Sequence, residues 1–193
     1  MVLPQLYPEA SKIVNRSVFI NGTARSGTRI MGSLLWSLEE TEYLFEPLML
    51  YSLLPMIEEI PRDRWKYLFE SYLVEEFLFN AMAGRFLNFN KHDYSCVSMS
   101  KSKQEIEKRM SHGFPRIECF NASSNMRIAI KIPALSIFFP RIFEYYPRII
   151  SLTMLRKPES VIGSLVRKGG LKNEKLLGPI NYPPYKNYRE FFL

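Results

Sequence analysis

The chain has 193 residues, 47% of them hydrophobic and 23% charged, and carries a net charge of +7; that is the balance of a globular chain able to bury one sizeable core. No apolar run approaches the roughly 18 residues of a membrane-spanning helix, and Met1 to Asn15 lacks the basic-then-apolar order of a secretory signal. The expectation is one domain over residues 1–193, cytoplasmic, without a membrane segment. Cys96 and Cys119 stand alone, with neither a CxxC pair nor a histidine at metal-ligand spacing, so no metal site is expected. The positive charge favours an anionic partner. Lysines and arginines are scattered, and the densest patch, Arg167 to Lys175, has no interleaved aromatics to stack bases, so nucleic acid is not expected.

Ser17 to Asn21 is a short apolar, β-branched run stopped by Gly22, and Ile30, Met31, Leu34, Leu35 and Leu38 then recur at helical spacing across Arg29 to Glu39. The chain therefore opens as strand, glycine turn, helix. Tyr43-Leu-Phe45 predicts a second strand that ends at Glu46-Pro47, because a residue before proline is pushed out of the helical region. Trp65, Leu68, Phe69, Tyr72, Leu73, Leu78 and Met82 predict one long amphipathic helix from Pro61 to about Ala83, with its aromatic face in the core. From Arg85 to Asn125 the pattern weakens, apart from a polar helical stretch from Lys101 to His112 that Gly113 would end. Loops that select an acceptor would fall there.

Arg127 to Ile132 predicts a strand, and Ala134 to Tyr146 a helix that Pro140 must start, kink or split. Arg148 to Leu155 is a further strand; Pro158 opens a helix running on through Ser160 to Lys168, stopped by Gly169-Gly170. Leu171 to Leu193 reads as loop or tail. Strands alternating with helices predict an α/β fold of three layers, with a central, mainly parallel sheet.

Gly22-Thr-Ala-Arg-Ser-Gly27-Thr28 follows a strand and opens a helix, so its backbone N–H groups and the helix N-terminus would converge on an anion. The spacing matches the GxxxxG of a nucleoside triphosphate loop. Thr28, however, replaces its lysine, and Arg29 replaces the residue that holds magnesium. The pattern is P-loop-like, yet it lacks the residues that manage a triphosphate and its metal. A glycine corner that merely turns the chain would look similar.

Arg25-Ser26-Gly27-Thr28-Arg29 resembles the 5′-phosphosulfate loop of sulfotransferases that use PAPS (3′-phosphoadenosine 5′-phosphosulfate). Tyr43-Leu-Phe-Glu-Pro-Leu48 is similar to a motif of carbohydrate 6-O-sulfotransferases, and Leu155-Arg156-Lys157-Pro158 with Ser164 is similar to the family's 3′-phosphate element. The resemblance covers Ser17 to Pro47 and Arg127 to Gly169. Lys157 stands where the family has aspartate, and Ile30 or Met31 where some members carry a tryptophan by the adenine. The chain also ends sooner than family members do after this last element, which suggests a form truncated at its C-terminus.

The resemblance implies PAPS as co-substrate, bound by Arg25, Ser26, Gly27, Thr28, Arg29, Arg156 and Ser164, and transfer of its sulfuryl group to an acceptor hydroxyl, a carbohydrate being favoured over another small alcohol. Arg25 would stabilise charge on the leaving phosphate, since its guanidinium stays ionised and cannot donate a proton. Glu46, past the second strand, is the candidate general base; His92 and His112 are alternatives. Lys131 could face the transferred group or be an ordinary strand-end lysine. A nucleotide kinase or hydrolase, and a non-catalytic module binding PAPS or a sulfated glycan, stand as competing readings.

Overall fold

Four strands carry the architecture: β1 (Val18–Gly22), β2 (Thr41–Phe45), β3 (Arg127–Lys131) and β4 (Ile150–Met154). The computed structural model describes residues 5–111, 116–132 and 136–168, and within it all four strands run parallel in the order β2-β3-β1-β4. Val18 faces Ala129 on one side and Ile150 on the other, and Phe45 lies opposite Lys131. Parallel neighbours need crossover connections. Helix α2 (Thr28–Trp36) joins β1 to β2, and α8 (Phe139–Tyr145) joins β3 to β4. The β2-to-β3 connection holds α3 (Leu48–Leu53), α4 (Arg62–Glu70), α5 (Asn80–Met82), α6 (Lys103–Ser111) and α7 (Arg116–Ser123); α1 (Pro8–Val14) precedes the sheet and α9 (Pro158–Arg167) follows it.

Strand alternation sorts the core into two halves. Phe19, Ile128 and Ile130 are buried with Leu50, Trp65, Phe69 and Phe139 on one side, while Ile20 and Ala129 are buried with Trp36 and Tyr43 on the other. This is a three-layer α/β arrangement, as the alternation of strands and helices requires.

Local detail departs from the sequence pattern in two places. The expected long helix is present but changes type: α4 gives way to a π-helical stretch, Ser71–Phe79, before α5. Leu73, Val74, Phe77 and Leu78 of this wider-wound stretch enter the core, whereas Leu68, in the regular helix before it, is exposed. Helix α2 turns its expected face outward. Ile30, Leu34 and Leu38 are 65%, 58% and 54% exposed, whereas Thr28, Gly32 and Trp36 are buried, because the bare Cα of Gly32 lets the helix sit directly on the Tyr43 ring. Pro140 starts a helix rather than splitting one, following a single 3₁₀ turn at Ser136–Phe138. His112, Gly113, Pro133, the Gly169-Gly170 stop and the tail beyond it lie outside the described residues.

A buried ionic cluster anchors the amino end of β2. Glu42 takes a 2.5 Å bond from Arg109 and a 3.3 Å bond from the Trp36 indole, while the Lys101 ammonium donates to the carbonyls of Leu38 and Thr41 at 3.0 and 2.9 Å. Glu105 adds a second carboxylate, 2.5 Å from Arg109 and 3.6 Å from Lys101. Two acids against two bases leave no net charge in this interior, the condition under which buried ions are tolerated.

Candidate active site at the carboxyl ends of the strands

The first part of the site is the turn from β1 into α2. Gly22, with φ 141°, must be glycine because a Cβ would lie 2.6 Å from the Met154 carbonyl oxygen and 2.8 Å from Ser26 Oγ. Ser26 is tied back by its hydroxyl and its N–H to the Thr23 carbonyl, at 2.7 and 3.1 Å. Gly27, with φ 100°, caps α2 in the left-handed conformation. Ser26 and Thr28 are buried, and Arg25 and Arg29 are exposed. The first-turn N–H groups of α2 thus lie between two arginines, an arrangement that favours an anion.

The end of β4 closes on this turn. Arg156 donates through Nη1 to the Arg25 carbonyl at 2.9 Å, and Arg25 Nε donates to Ser164 Oγ at 3.0 Å. Ser164 is buried on α9. Three residues singled out from distant motifs are therefore in direct hydrogen-bond contact. Lys157 is exposed and occupies the cap of α9, apart from these contacts.

The third part lies at the ends of β2 and β3. Glu46 donates its N–H to the Lys131 carbonyl at 3.1 Å, and its carboxylate accepts a hydrogen bond from the Lys131 ammonium. Lys131 is buried, and its ammonium also lies 4.6 Å from the centre of the Phe45 ring. Phe45 meets the edge of Tyr94 at 5.8 Å, and the Arg29 guanidinium sits 3.7 Å over the Tyr94 ring. Arg29 therefore links the glycine turn to the aromatic group through Tyr94. Burial pushes the Tyr43 hydroxyl well above the ordinary tyrosine range, with the Glu46 carboxylate adding to the shift and Arg29 opposing it.

Backbone conformation singles out two of the candidate residues. Among the described residues, Arg25 and Glu46 are the only non-glycines with positive φ, at 71° and 43°. A left-handed arginine or glutamate is held there by its surroundings at a local cost of order 1–2 kcal/mol.

Sequence reading missed Tyr94, which sits in a loop without periodicity, and left open the partnership of Lys131. His92 is an exposed loop residue whose N–H is held by Asn90 Oδ1 at 3.0 Å, and no described contact joins its ring to Glu46 or the turn. Among the described residues no three His, Cys, Asp or Glu side chains are grouped to hold a metal, and no helix is long and apolar enough to cross a membrane.

The chain is a parallel α/β protein whose glycine turn, arginines and acid–lysine pair gather outside the carboxyl ends of its strands, where open sheets of this kind take their ligands. No family model matches the sequence, and no curated protein matches it.

Proposed function

We infer that the chain is an enzyme that moves a sulfuryl group from PAPS to an acceptor hydroxyl. The observation that carries the reading is the junction of Arg25, Arg156 and Ser164, drawn from two sequence motifs and bonded to one another beside the glycine turn. Two guanidiniums, a buried hydroxyl and free helix N–H groups suit two phosphate-type groups on one ligand better than a single triphosphate with a metal. Arg25 and the first turn of α2 hold the 5′-phosphosulfate, and Arg156 with Ser164 holds the 3′-phosphate.

PAPS supplies the sulfuryl group. Glu46 takes the proton of the acceptor hydroxyl as its oxygen bonds to sulfur. The bridging S–O bond breaks, its electron pair passes to the 5′-phosphate, and Arg25 stabilises the charge that grows there. Lys131 orients the Glu46 carboxylate and, released from it as Glu46 is protonated, can turn to the transferring oxygens. A carbohydrate hydroxyl is the acceptor favoured by the Phe45-Glu46-Pro47 motif.

The test is incubation with radiosulfur-labelled PAPS and a mixture of methyl glycosides, simple phenols and a tyrosine peptide. Label moving to an acceptor, together with release of adenosine 3′,5′-bisphosphate, is the expected result. Magnesium-dependent cleavage of ATP with no transfer from PAPS would assign the turn to a nucleotide kinase or hydrolase instead.

A further inference from the structure

Strand β2 is an edge of the sheet, paired with β3 on one side only. The Glu46 N–H bonds the Lys131 carbonyl and the Arg127 N–H bonds the Glu40 carbonyl, so even-numbered residues of β2 direct their backbone groups to β3 and odd-numbered ones outward. The Thr41 carbonyl is taken by Lys101. The outward N–H and C=O groups of Tyr43 and Phe45 have no hydrogen-bond partner among the described residues. A cavity of about 210 Å³ lies along this edge, walled by Phe45, Tyr72, Phe77 and Phe86, with Asn88 and Ser95 on its loop side. Glu42 and Arg109 also line it and neutralise each other.

The geometry points to this cavity as an acceptor site that takes one neutral sugar ring against the β2 edge, with a ring hydroxyl passed beyond Phe45 to Glu46. The role as acceptor site rests on the sulfuryl-transfer reading; the choice of ligand rests on the cavity itself. Aromatic walls suit the C–H faces of a pyranose. The four outward backbone groups need a ligand that both donates and accepts at several points. Asn88 bonds Ser95 Oγ at 2.9 Å through Nδ2 and also donates to the Asp93 carboxylate, so the loop side of the cavity is held in place by its own hydrogen bonds. A phenol of similar size would cover the aromatic walls but leave those backbone groups unpaired, which a hydrogen-bonding site penalises strongly. The balanced Glu42–Arg109 pair gives no reason for a charged ligand. Phe45 is shared between the two sites, since it walls the cavity and contacts both the Lys131 ammonium and Tyr94.

The test is an amide-resolved NMR titration of the full chain with methyl β-glucoside, methyl β-galactoside and phenol, each run with and without adenosine 3′,5′-bisphosphate. At least one glycoside should move the Tyr43 and Phe45 amide resonances. Phe86→Ala, at a half-exposed ring, should weaken that glycoside about tenfold and leave bisphosphate binding unchanged. Leu87→Trp, which fills the cavity, should give the same loss if Phe86→Ala proves unstable. Phenol moving these amides where no glycoside does would overturn the proposal, as would glycoside shifts that spare Tyr43 and Phe45 or ignore both variants. Glycoside binding at these amides without any bisphosphate binding would sustain the sugar cavity and refute the sulfuryl-transfer reading.

Discussion

Replacing Glu46 by Gln keeps the shape of the side chain and removes the charge that faces Lys131. The lysine side chain is 9% exposed and its partner 33% exposed, so the pair lies between a surface contact and a fully buried one. A charge-assisted bond of this kind contributes about 1.5–3 kcal/mol, and the partial exposure of Glu46 places the loss near the middle of that range, about 2 kcal/mol. For a chain of this size about 2 kcal/mol corresponds to a fall in Tm of roughly 4–8 °C. Urea unfolding of the wild type, Glu46→Gln, Lys131→Met and the double variant should return a coupling energy of about 2 kcal/mol, since residues in direct contact do not add. Turnover in Glu46→Gln should fall by about 10²–10⁴, the usual contribution of a general base, while affinity for adenosine 3′,5′-bisphosphate stays unchanged. Coupling within about 0.5 kcal/mol of zero would mean that the pair contributes nothing to the fold. Loss of bisphosphate affinity in step with turnover would place Glu46 at the nucleotide and not at the acceptor.

Other parts of the molecule give equally direct expectations. Gly32→Ala would bring a Cβ to 2.3 Å from Cζ and Oη of Tyr43 and should destabilise the fold by about 1–3 kcal/mol in urea unfolding, a loss that Tyr43→Leu should largely relieve; a neutral Gly32→Ala would refute the close approach of α2 to β2. Glu42→Gln leaves Lys101 and Arg109 to share the Glu105 carboxylate, one positive charge in excess, and should cost about 3–5 kcal/mol; a change under about 1 kcal/mol would show that the cluster is open to water. Burial first, and the nearby carboxylates of Glu46 and Glu70 next, raise the Tyr43 and Tyr146 hydroxyls above the ordinary tyrosine value of 10.0. A tyrosine raised in the folded state stabilises the fold fully below that value, and its contribution is lost as pH climbs toward the folded pKa. Stability measured by urea should therefore decline above about pH 10, with absorbance showing these two rings ionising only on unfolding; early ionisation of both would contradict their burial.

The parts of the fold that could be read from sequence are those where local chemistry and tertiary contact agree. Ser17 to Gly22 signals a strand and a turn by β-branching followed by glycine, and the structure adds only that Gly22 is compressed against Met154. Pro47 and Pro158 mark a strand end and a helix start because proline acts through its own ring. Helix α2 shows the opposite case. Its leucines and isoleucine form the apolar face by pattern, yet contact with Tyr43 is decided by Gly32, which no hydrophobic periodicity counts. The π turn at Ser71–Phe79 is equally invisible, since it alters the period by which the pattern is read. At the site, Arg25, Arg156 and Ser164 each carried a motif, and their meeting is a property of strand order. The ion cluster of Glu42, Lys101 and Arg109 had no motif; a glutamate within a strand and a lysine and arginine around a polar helix read as solvent-facing until the fold brings them together.

In the proposed enzyme Arg25, Arg156 and Ser164 form one site for a nucleotide with phosphates at both its 3′ and 5′ positions. Calorimetric titration with adenosine 3′,5′-bisphosphate, against ADP with magnesium, distinguishes such a site from one for a triphosphate and its metal. Micromolar binding of the bisphosphate without metal is expected, weakened about 10–100-fold by Arg156→Ala through loss of a charge-assisted contact. Preference for ADP with magnesium, or bisphosphate binding that is indifferent to Arg156→Ala, would contradict it.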